Sequence, residues 1–433
     1  MVRPLGRRSP PSQKGSLLMS DTEQDVGSAP TQAPRSKFGG RVMPLVGAIA
    51  LMATSAIGPG FLTQTATFTQ QLGAAFSFGI LISVLLDLAI QMNVWRVVGV
   101  SGLHAQELAQ RVVPGLGVVL SILVFVCGFI ANMGNVAGAG LGLNVLFGLD
   151  SRWGAVITTV LALVIFVNRY FIKVMDSTVI PLGVIMIGLT LLVAVVSAPP
   201  VNEAALQTVV PEQIDILAIT TIVGGTVGGY ITYAGAHKLL ASGVTGPRRA
   251  REIARTSAAG VVATGAMRWL LFLAVLGVVS TGTVLDVTDN PAGDAFQAAA
   301  GDIGFKIFGV VLWAAAMSSV IGASFTSISF IATYSRHVRE RKGLAVAAFV
   351  VACCAALLLA GQTPATVLVF SGGFNGLVLP IGFTVTMWIA WRRRDLLQGY
   401  RYPRWLIVVG VLGLAVSWVL AVLAFEPVFG LLQ

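Results

Sequence analysis

Two stretches of this chain join residues that cannot hold a helix to side chains that can hold a ligand. The first is Thr54-Ser55-Ala56-Ile57-Gly58-Pro59-Gly60-Phe61-Leu62-Thr63-Gln64-Thr65; the second is Gly224-Gly225-Thr226-Val227-Gly228-Gly229-Tyr230, with Thr232 and Tyr233 just beyond it. A helix interrupted by Gly-Pro-Gly or by paired glycines leaves backbone amides and carbonyls unpaired. In hydrocarbon each such group costs several kcal/mol, so a break survives only where it is covered by other helices or lines a cavity. Hydroxyl, amide and aromatic groups next to exposed backbone suit reversible binding of a small solute rather than bond making. The candidate substrate-binding residues are Ser55, Gly58, Gly60, Phe61, Thr63, Gln64 and Thr65 at the first break, and Gly225, Thr226, Gly228 and Tyr230 at the second. Glycine also serves close helix packing in membranes, and with 49 glycines in the chain either break alone is weak evidence.

The elements that must position these residues follow from composition. Of the 433 residues, 56% are hydrophobic and 11% charged, and the mean hydropathy is +0.86, values of an integral membrane protein. Apolar stretches of about 20 residues, enough to cross ~30 Å of hydrocarbon, alternate with short charged connections. They predict an all-α protein with eleven transmembrane helices at 42–71, 75–97, 114–147, 152–172, 177–198, 213–242, 258–282, 304–334, 343–361, 365–391 and 404–425. Residues 1–37, rich in Ser, Pro, Gln and charge and without an apolar run, read as a disordered cytoplasmic tail, and 38–433 as one transporter domain. The breaks fall in the first and sixth spans, five apart, so they occupy matching places in halves of opposite orientation. That is the pattern of inverted-repeat transporters, with repeat one at about 42–198, repeat two at about 213–391 and an extra helix at about 404–425.

Charge distribution sets an expected orientation. With the N-terminus in the cytoplasm, the five inward connections hold 18 of the 28 Lys and Arg residues, whereas the outward ones hold Arg152 and Lys306 beside acids such as Glu203, Asp286 and Asp294. The positive-inside rule therefore predicts a multi-pass protein of the cell membrane with its N-terminus cytoplasmic and its C-terminus outside. The same distribution accounts for the net charge of +10 without nucleic acid. Cys127, Cys353 and Cys354 lie in apolar spans, where they serve as small hydrophobes, and no disulfide framework or zinc site is expected. Neither a metal-ligand run, a phosphate-binding Gly-Lys-Ser/Thr loop nor a nucleophile constellation occurs, so neither an enzyme nor an ATP-driven pump is expected, and no cofactor. The expected partners are the lipid bilayer and a small solute or ion, with no obligate protein partner. A membrane sensor would ordinarily carry a further soluble domain, and none is read here.

Ionisable groups within spans mark proton or ion paths by default. Asp87, in the second span, shares a helical face with Gln91 four residues on. Arg268 lies in the seventh span, where it pairs with an acid or snorkels inward. His237 and Lys238 lie near the inner end of the sixth span, at a gate or as a snorkelling pair, and Asp176 opens the fifth as a helix-start charge.

Through most of 42–390 the sequence resembles the natural-resistance-associated macrophage protein (Nramp) family of divalent-metal transporters, whose fold is similar to that of LeuT. Gln91, Arg96, Gly99, Ser101 and Gly102, continuing to Glu107-Leu108-Ala109, match a family pattern of Gln, Arg, Leu-Gly, Thr-Gly and Asp-Leu-Ala. The run LGLNVLFG at 141–148 is similar to the family's Ala-Leu-Asn-Leu-Leu-Phe-Gly, and Pro59, Gly60, Ser371 and Pro380 also match. The resemblance implies a LeuT-type inverted repeat of helices 1–5 and 6–10, with helices 1 and 6 broken, and alternating access. The departures fall on the chemistry. Gly58-Pro59-Gly60-Phe61 stands where the family has Asp-Pro-Gly-Asn, and Gly228-Gly229-Tyr230 where it has Met-Pro-His. Asn132 and Asn135 replace the acidic pair associated in the family with proton passage, and Val378 replaces a Gln.

A dehydrated divalent cation needs oxygen, nitrogen or sulfur ligands and preferably negative charge, and neither break has a carboxylate. A half-helix N-terminus instead offers amides and a partial positive charge, which suits a carboxylate. The expectation is a proton-coupled secondary transporter of a small organic acid or amino-acid-like solute, with Asp87, Gln91, Asn132, Asn135, His237 and Arg268 in coupling or gating. The alternative is a divalent metal cation of the magnesium or manganese type.

Overall fold

A computed structural model describes residues 58–433 except Asn168, with residues 167–180 given as backbone alone. Ser55, the tail read at 1–37 and the first half of the first span lie outside the described residues, as do the side chains of Arg169, Lys173 and Asp176. The described residues are helical throughout, without a strand. Helices α1 (Pro59–Leu72) and α2 (Phe76–Ser101) are separated by a 3-10 turn, and the short α3 (Ala105–Val112) leads to α4 (Leu116–Phe147), α5 (Ser151–Val167), α6 (Arg169–Val196) and α7 (Val201–Gln207). The second half holds α8 (Ile216–Val227), α9 (Ile231–Ala241), α10 (Ala250–Ser280), α11 (Pro291–Ala332), α12 (Arg336–Glu340), α13 (Lys342–Ala360), α14 (Pro364–Arg392), α15 (Arg404–Leu423) and α16 (Phe425–Gly430).

Local chemistry sets the ends of these helices. Pro59 opens α1, where its missing N–H is no loss and its fixed φ is already helical. The Asp215 carboxylate accepts from the Ala218 amide (2.7 Å) to start α8, and Thr363 ahead of Pro364 does the same for α14. Lys306 Nζ donates to the Val145 and Leu146 carbonyls (2.6 and 2.9 Å), placing a cation on the negative end of α4.

Three spans differ from their sequence reading, and the fifth of the chain starts at Arg169 rather than 177. The seventh starts at Ala250 rather than 258, because the charged segment before the apolar run is amphipathic and buries Ile253 against Gly99. The eighth starts at Pro291 rather than 304: Asn290 caps it, Pro291 opens it, and Gly301 (φ 63°, ψ −166°) kinks the merged helix where the sequence pattern turns apolar. Three short helices, α3, α7 and α12, lie in connections where none was expected, and a fourth, α16, follows the last span. The chain bends by 106° between α6 and α7, after Pro199-Pro200. Among the described residues, eight helices are long and apolar enough to cross a membrane, with Pro59–Ser101 counted as one.

Packing pairs like with like. α4 lies along α11 and α2 along α10, in each case one span with the span five further on, and α14 lies along α8. That last contact is backbone against backbone. A methyl group on Gly224 would fall on the Gly372 carbonyl and the Gly376 amide, so only glycine lets α8 approach α14 this closely. Replacing Gly224 by Ala is therefore expected to destabilise the protein by about 1–3 kcal/mol through overpacking. Gly322→Ala, whose added methyl meets nothing, should leave stability unchanged or raised by up to about 1 kcal/mol. Melting temperatures of the two purified variants in detergent check both outcomes.

Candidate functional site

The first break places Gly58 in extended geometry (φ −91°, ψ 176°) immediately before α1, with no side chain capping the helix and no acid in its first turn. Among the described residues, no side chain supplies an anion to the amides of that turn. The second break separates α8 from α9 across Gly228, Gly229 and Tyr230. Gly229 takes a left-handed φ of 51°, and a side chain there would strike the Asn375 amide and Cys127.

Gln64 ties the breaks together. Fully buried, it donates from Nε2 to the Leu368 carbonyl of α14 (2.9 Å), while Oε1 has no partner and lies against Gly225, where an added methyl would be 2.5 Å away. Asn375 of α14, also buried, has an unpartnered Oδ1 beside Gly229. Two buried carbonyl oxygens without donors thus stand beside the second break. Gly60 lies against the Gln64 side chain, and the Gly228 position against Gly224 and the Asn375 carbonyl. Thr63 is buried, and Thr65 spends its hydroxyl on the Phe61 carbonyl of its own helix (2.7 Å).

A charged cluster sits against the same region. Asp87 on α2 accepts through Oδ2 from Thr226 Oγ1 of α8 (2.8 Å), and its Oδ1 has no partner. Arg268 of α10 donates from Nη1 to the Ile222 carbonyl of α8 (3.2 Å) and lies over the Phe61 ring of α1 at 4.4 Å, while its Nε and Nη2 are unpartnered. Arg268 and Asp87 are within electrostatic reach of each other without forming a direct ion pair. Four helices, α1, α2, α8 and α10, meet in this cluster. Thr226 carries one hydroxyl hydrogen yet faces two acceptors at 2.8 Å, Asp87 Oδ2 and the Ile222 carbonyl. It can donate to Asp87 while the carboxylate is ionised, and to Ile222 when Asp87 is protonated and becomes the donor.

The remaining candidates form two further groups. Asn132 donates to Ser324 Oγ (3.1 Å) and Asn135 donates to Asn132 Oδ1 (3.5 Å), which links α4 to α11, and Asn135 lies near Tyr230 of the second break. His237 lies further along α9, between His104 (ring centroids 4.6 Å apart) and Phe330 (5.0 Å), and accepts from the Ala105 amide. Gln91 donates to the Ser257 carbonyl of α10 at 3.3 Å. The structure thus groups Gln64 with Gly225 and Gly228 with Asn375, gathers Asp87, Thr226, Arg268 and Phe61 in the charged cluster, keeps His237 on α9 away from that cluster, and leaves Gln91 one turn along α2 from Asp87, donating to Ser257.

Sequence reasoning passed over Asn375, Ser324 and His104. Asn375 had a readable signal, an amide within the glycine-rich run Ser371-Gly372-Gly373-Phe374-Asn375-Gly376 of an apolar span. Ser324 and His104 had none, since only the packing of α11 and α3 brings them to their partners.

Thr226→Val removes the hydrogen-bond donor from a buried carboxylate and is expected to cost about 1–3 kcal/mol, whereas Thr226→Ser retains the hydroxyl and stays close to the parent. In an Asp87→Asn background the loss should shrink. A double-mutant cycle read by thermal unfolding checks this coupling.

The chain is similar to known membrane proteins along most of its length. A family model described as natural resistance-associated macrophage protein-like (Nramp) matches residues 49–425. A Bacillus subtilis (strain 168) protein, described as the uncharacterized membrane protein YcsG, is 48% identical over 378 residues, covering 87% of this chain and 93% of its own length. Among solved structures, a manganese transporter from Eremococcus coleocola in complex with an aromatic bis-isothiourea substituted compound has a TM-score of 0.70 at 18% identity, over 94% of this chain and 91% of that one. MhsT in complex with L-phenylalanine has a TM-score of 0.60 at 14% identity, over 88% of this chain and 98% of that one. The likeness to these two structures is one of fold.

Proposed function

Because the chain belongs to the Nramp family and is a multi-pass membrane secondary transporter of LeuT-type fold, not an enzyme, we propose that it takes up a small organic acid or amino-acid-like solute with protons. The observation that carries this reading is the make-up of the paired breaks. Gly58 and Phe61 flank the first and Gly228 and Gly229 form the second, so no carboxylate, thioether or imidazole is offered there, while α1 starts with uncapped amides and no acid. An anion is favoured by such a helix start and would meet no fixed negative charge in the break itself. The unpartnered Gln64 and Asn375 oxygens supply acceptors for an N–H of the cargo, which supports an amino-acid-like solute.

In this reading the first, second, sixth and seventh spans, joined through Asp87, Thr226, Arg268 and Phe61, rock against the third, fourth, eighth and ninth. The pairing of α2 with α10 and of α4 with α11 supports two inverted repeats over about 42–198 and about 213–391. Asp87 is the proton carrier, since asparagines stand at 132 and 135 in the third span. The Lys and Arg distribution supports the cell membrane, with the N-terminus inside and the C-terminus outside.

A second reading, a divalent cation, draws on the same unpartnered oxygens of Gln64 and Asn375, which are hard ligands, and on the manganese transporter among the structural neighbours. Uptake into proteoliposomes separates the two. An inward proton gradient should drive accumulation of one or more labelled small carboxylates from a panel of L-alanine, L-lactate, acetate and benzoate, and Asp87→Asn should abolish that gradient-driven accumulation. Saturable manganese or magnesium uptake, lost in Thr226→Ala and unaffected by the carboxylates, would establish the cation instead.

A further inference from the structure

The unused atoms of the charged cluster bear on how cargo and proton are linked. Arg268 is 2% exposed, and Nε and Nη2, the edge of a guanidinium that meets a carboxylate side-on, have no partner. Its guanidinium is held over Phe61, the residue that directly follows the first break. Asp87, 4% exposed, has one oxygen free and one on Thr226.

Arg268 and Asp87 are linked through Thr226 and the Ile222 carbonyl, which accepts from both Arg268 Nη1 and Thr226 Oγ1. Among the described residues packed around α2, α1 and α8 contain no charged side chain, α14 and α15 contribute Arg392 and Arg404 at their ends, and the 3-10 turn Pro247–Arg249 contributes Arg248 and Arg249, both exposed. In α9, Tyr233 and His237 turn their rings to Phe330 and Lys238 is exposed; in α7, Glu203 is exposed. The other charges of α10, Arg251, Glu252 and Arg255, lie in its first turns, and Arg96 of α2 donates to Tyr400.

We propose that Arg268 takes the carboxylate of an organic-acid cargo and that protonation of Asp87 releases it to do so. This rests on the organic-acid reading of the cargo. While Asp87 is ionised its charge balances that of Arg268, and an incoming carboxylate would leave the buried cluster negative. A proton arriving on Asp87 Oδ2 makes that oxygen the donor to Thr226 Oγ1, and the Thr226 hydrogen turns to the Ile222 carbonyl. The hydrogen bonds of the cluster are retained, and Arg268 becomes a buried cation without a counter-charge. Such a cation is strongly disfavoured until an anion pairs with it, so the carboxylate binds. Loss of the proton on the other face of the membrane restores the balance between Asp87 and Arg268 and displaces the cargo. One proton moves with one carboxylate, and no net charge crosses.

The test is the melting temperature of the purified full-length protein in detergent, titrated with sodium acetate or sodium L-lactate against sodium chloride of equal ionic strength. Readings at about pH 5.5 and about pH 7.5 span the range over which a buried carboxyl titrates. Wild type should bind carboxylate more weakly at the higher pH, by up to about tenfold per pH unit. Asp87→Asn should bind it with an affinity that no longer depends on pH, and Arg268→Gln should show no carboxylate stabilisation. Since Arg268→Gln leaves Asp87 unbalanced and can fail to fold, Asp87→Asn/Arg268→Gln, which removes both charges, is measured alongside it and should also show none.

Stabilisation of either Arg268 variant equal to that of wild type, or wild-type pH dependence in Asp87→Asn, overturns the proposal and leaves the organic-acid reading standing. If carboxylate stabilises no version, not even Asp87→Asn with its uncompensated Arg268, the proposal falls. Saturable stabilisation by manganese chloride in that case removes the organic-acid reading as well.

Discussion

A guanidinium buried in a helical membrane protein has to be compensated where it stands, because neither water nor lipid will do it. Arg268 meets that demand from three helices at once: the Phe61 ring of α1, the Ile222 carbonyl of α8 and the nearby Asp87 carboxylate of α2. Its own helix, α10, is the fourth. The cluster thus fastens the two broken spans to the spans that follow them. The same four helices form the moving unit in the proposed alternating access, and their common anchor is a physical reason for them to move together.

The broken spans impose the second constraint. An interrupted helix can stay in the bilayer only if its freed groups are covered, and the covering here is α14. Gly224 lets α8 touch the α14 backbone, and Gln64 and Asn375 fill the space beside the breaks. Satisfaction is incomplete, since each of these amides keeps a buried oxygen without a donor. Buried acceptors of that kind are costly in a purely structural role, and a ligand that donates to them would remove the cost.

Family and cargo are separable properties in this protein. Membership of the Nramp family follows from a match over residues 49–425, and the fold is shared with a manganese transporter and with MhsT in complex with L-phenylalanine. Such a fold holds a site between two helix breaks and leaves its chemistry to a few side chains. In the proposed site those positions carry Gly58, Phe61, Gly228 and Tyr230, and the buried charges beside it are Asp87 on α2 and Arg268 on α10. Asn135 of α4 lies near Tyr230 of the second break, and both side chains are neutral.

Much of this was legible in the sequence, for definite reasons. Span-length apolar runs determine an all-α membrane protein because hydrocarbon admits only helices and closed barrels, and barrel strands are about ten residues long with alternating polarity. Gly-Pro-Gly at 58–60 and Gly-Gly at 228–229 mark the breaks because no helix tolerates them without compensation, and Asp87 and Arg268 stand out because charge in a span needs a reason. The sequence could not say that Asp87 and Arg268, 181 positions apart, share a cluster through Thr226 and Ile222, or that Asn375 faces Gly229. Nor could it extend the eighth span back to Pro291, since a kinked helix with polar residues reads as a loop until its packing is known. Local pattern determines where a chain is helical and where it breaks. Which buried polar groups find each other depends on how helices distant in sequence pack, and that only the tertiary structure decided.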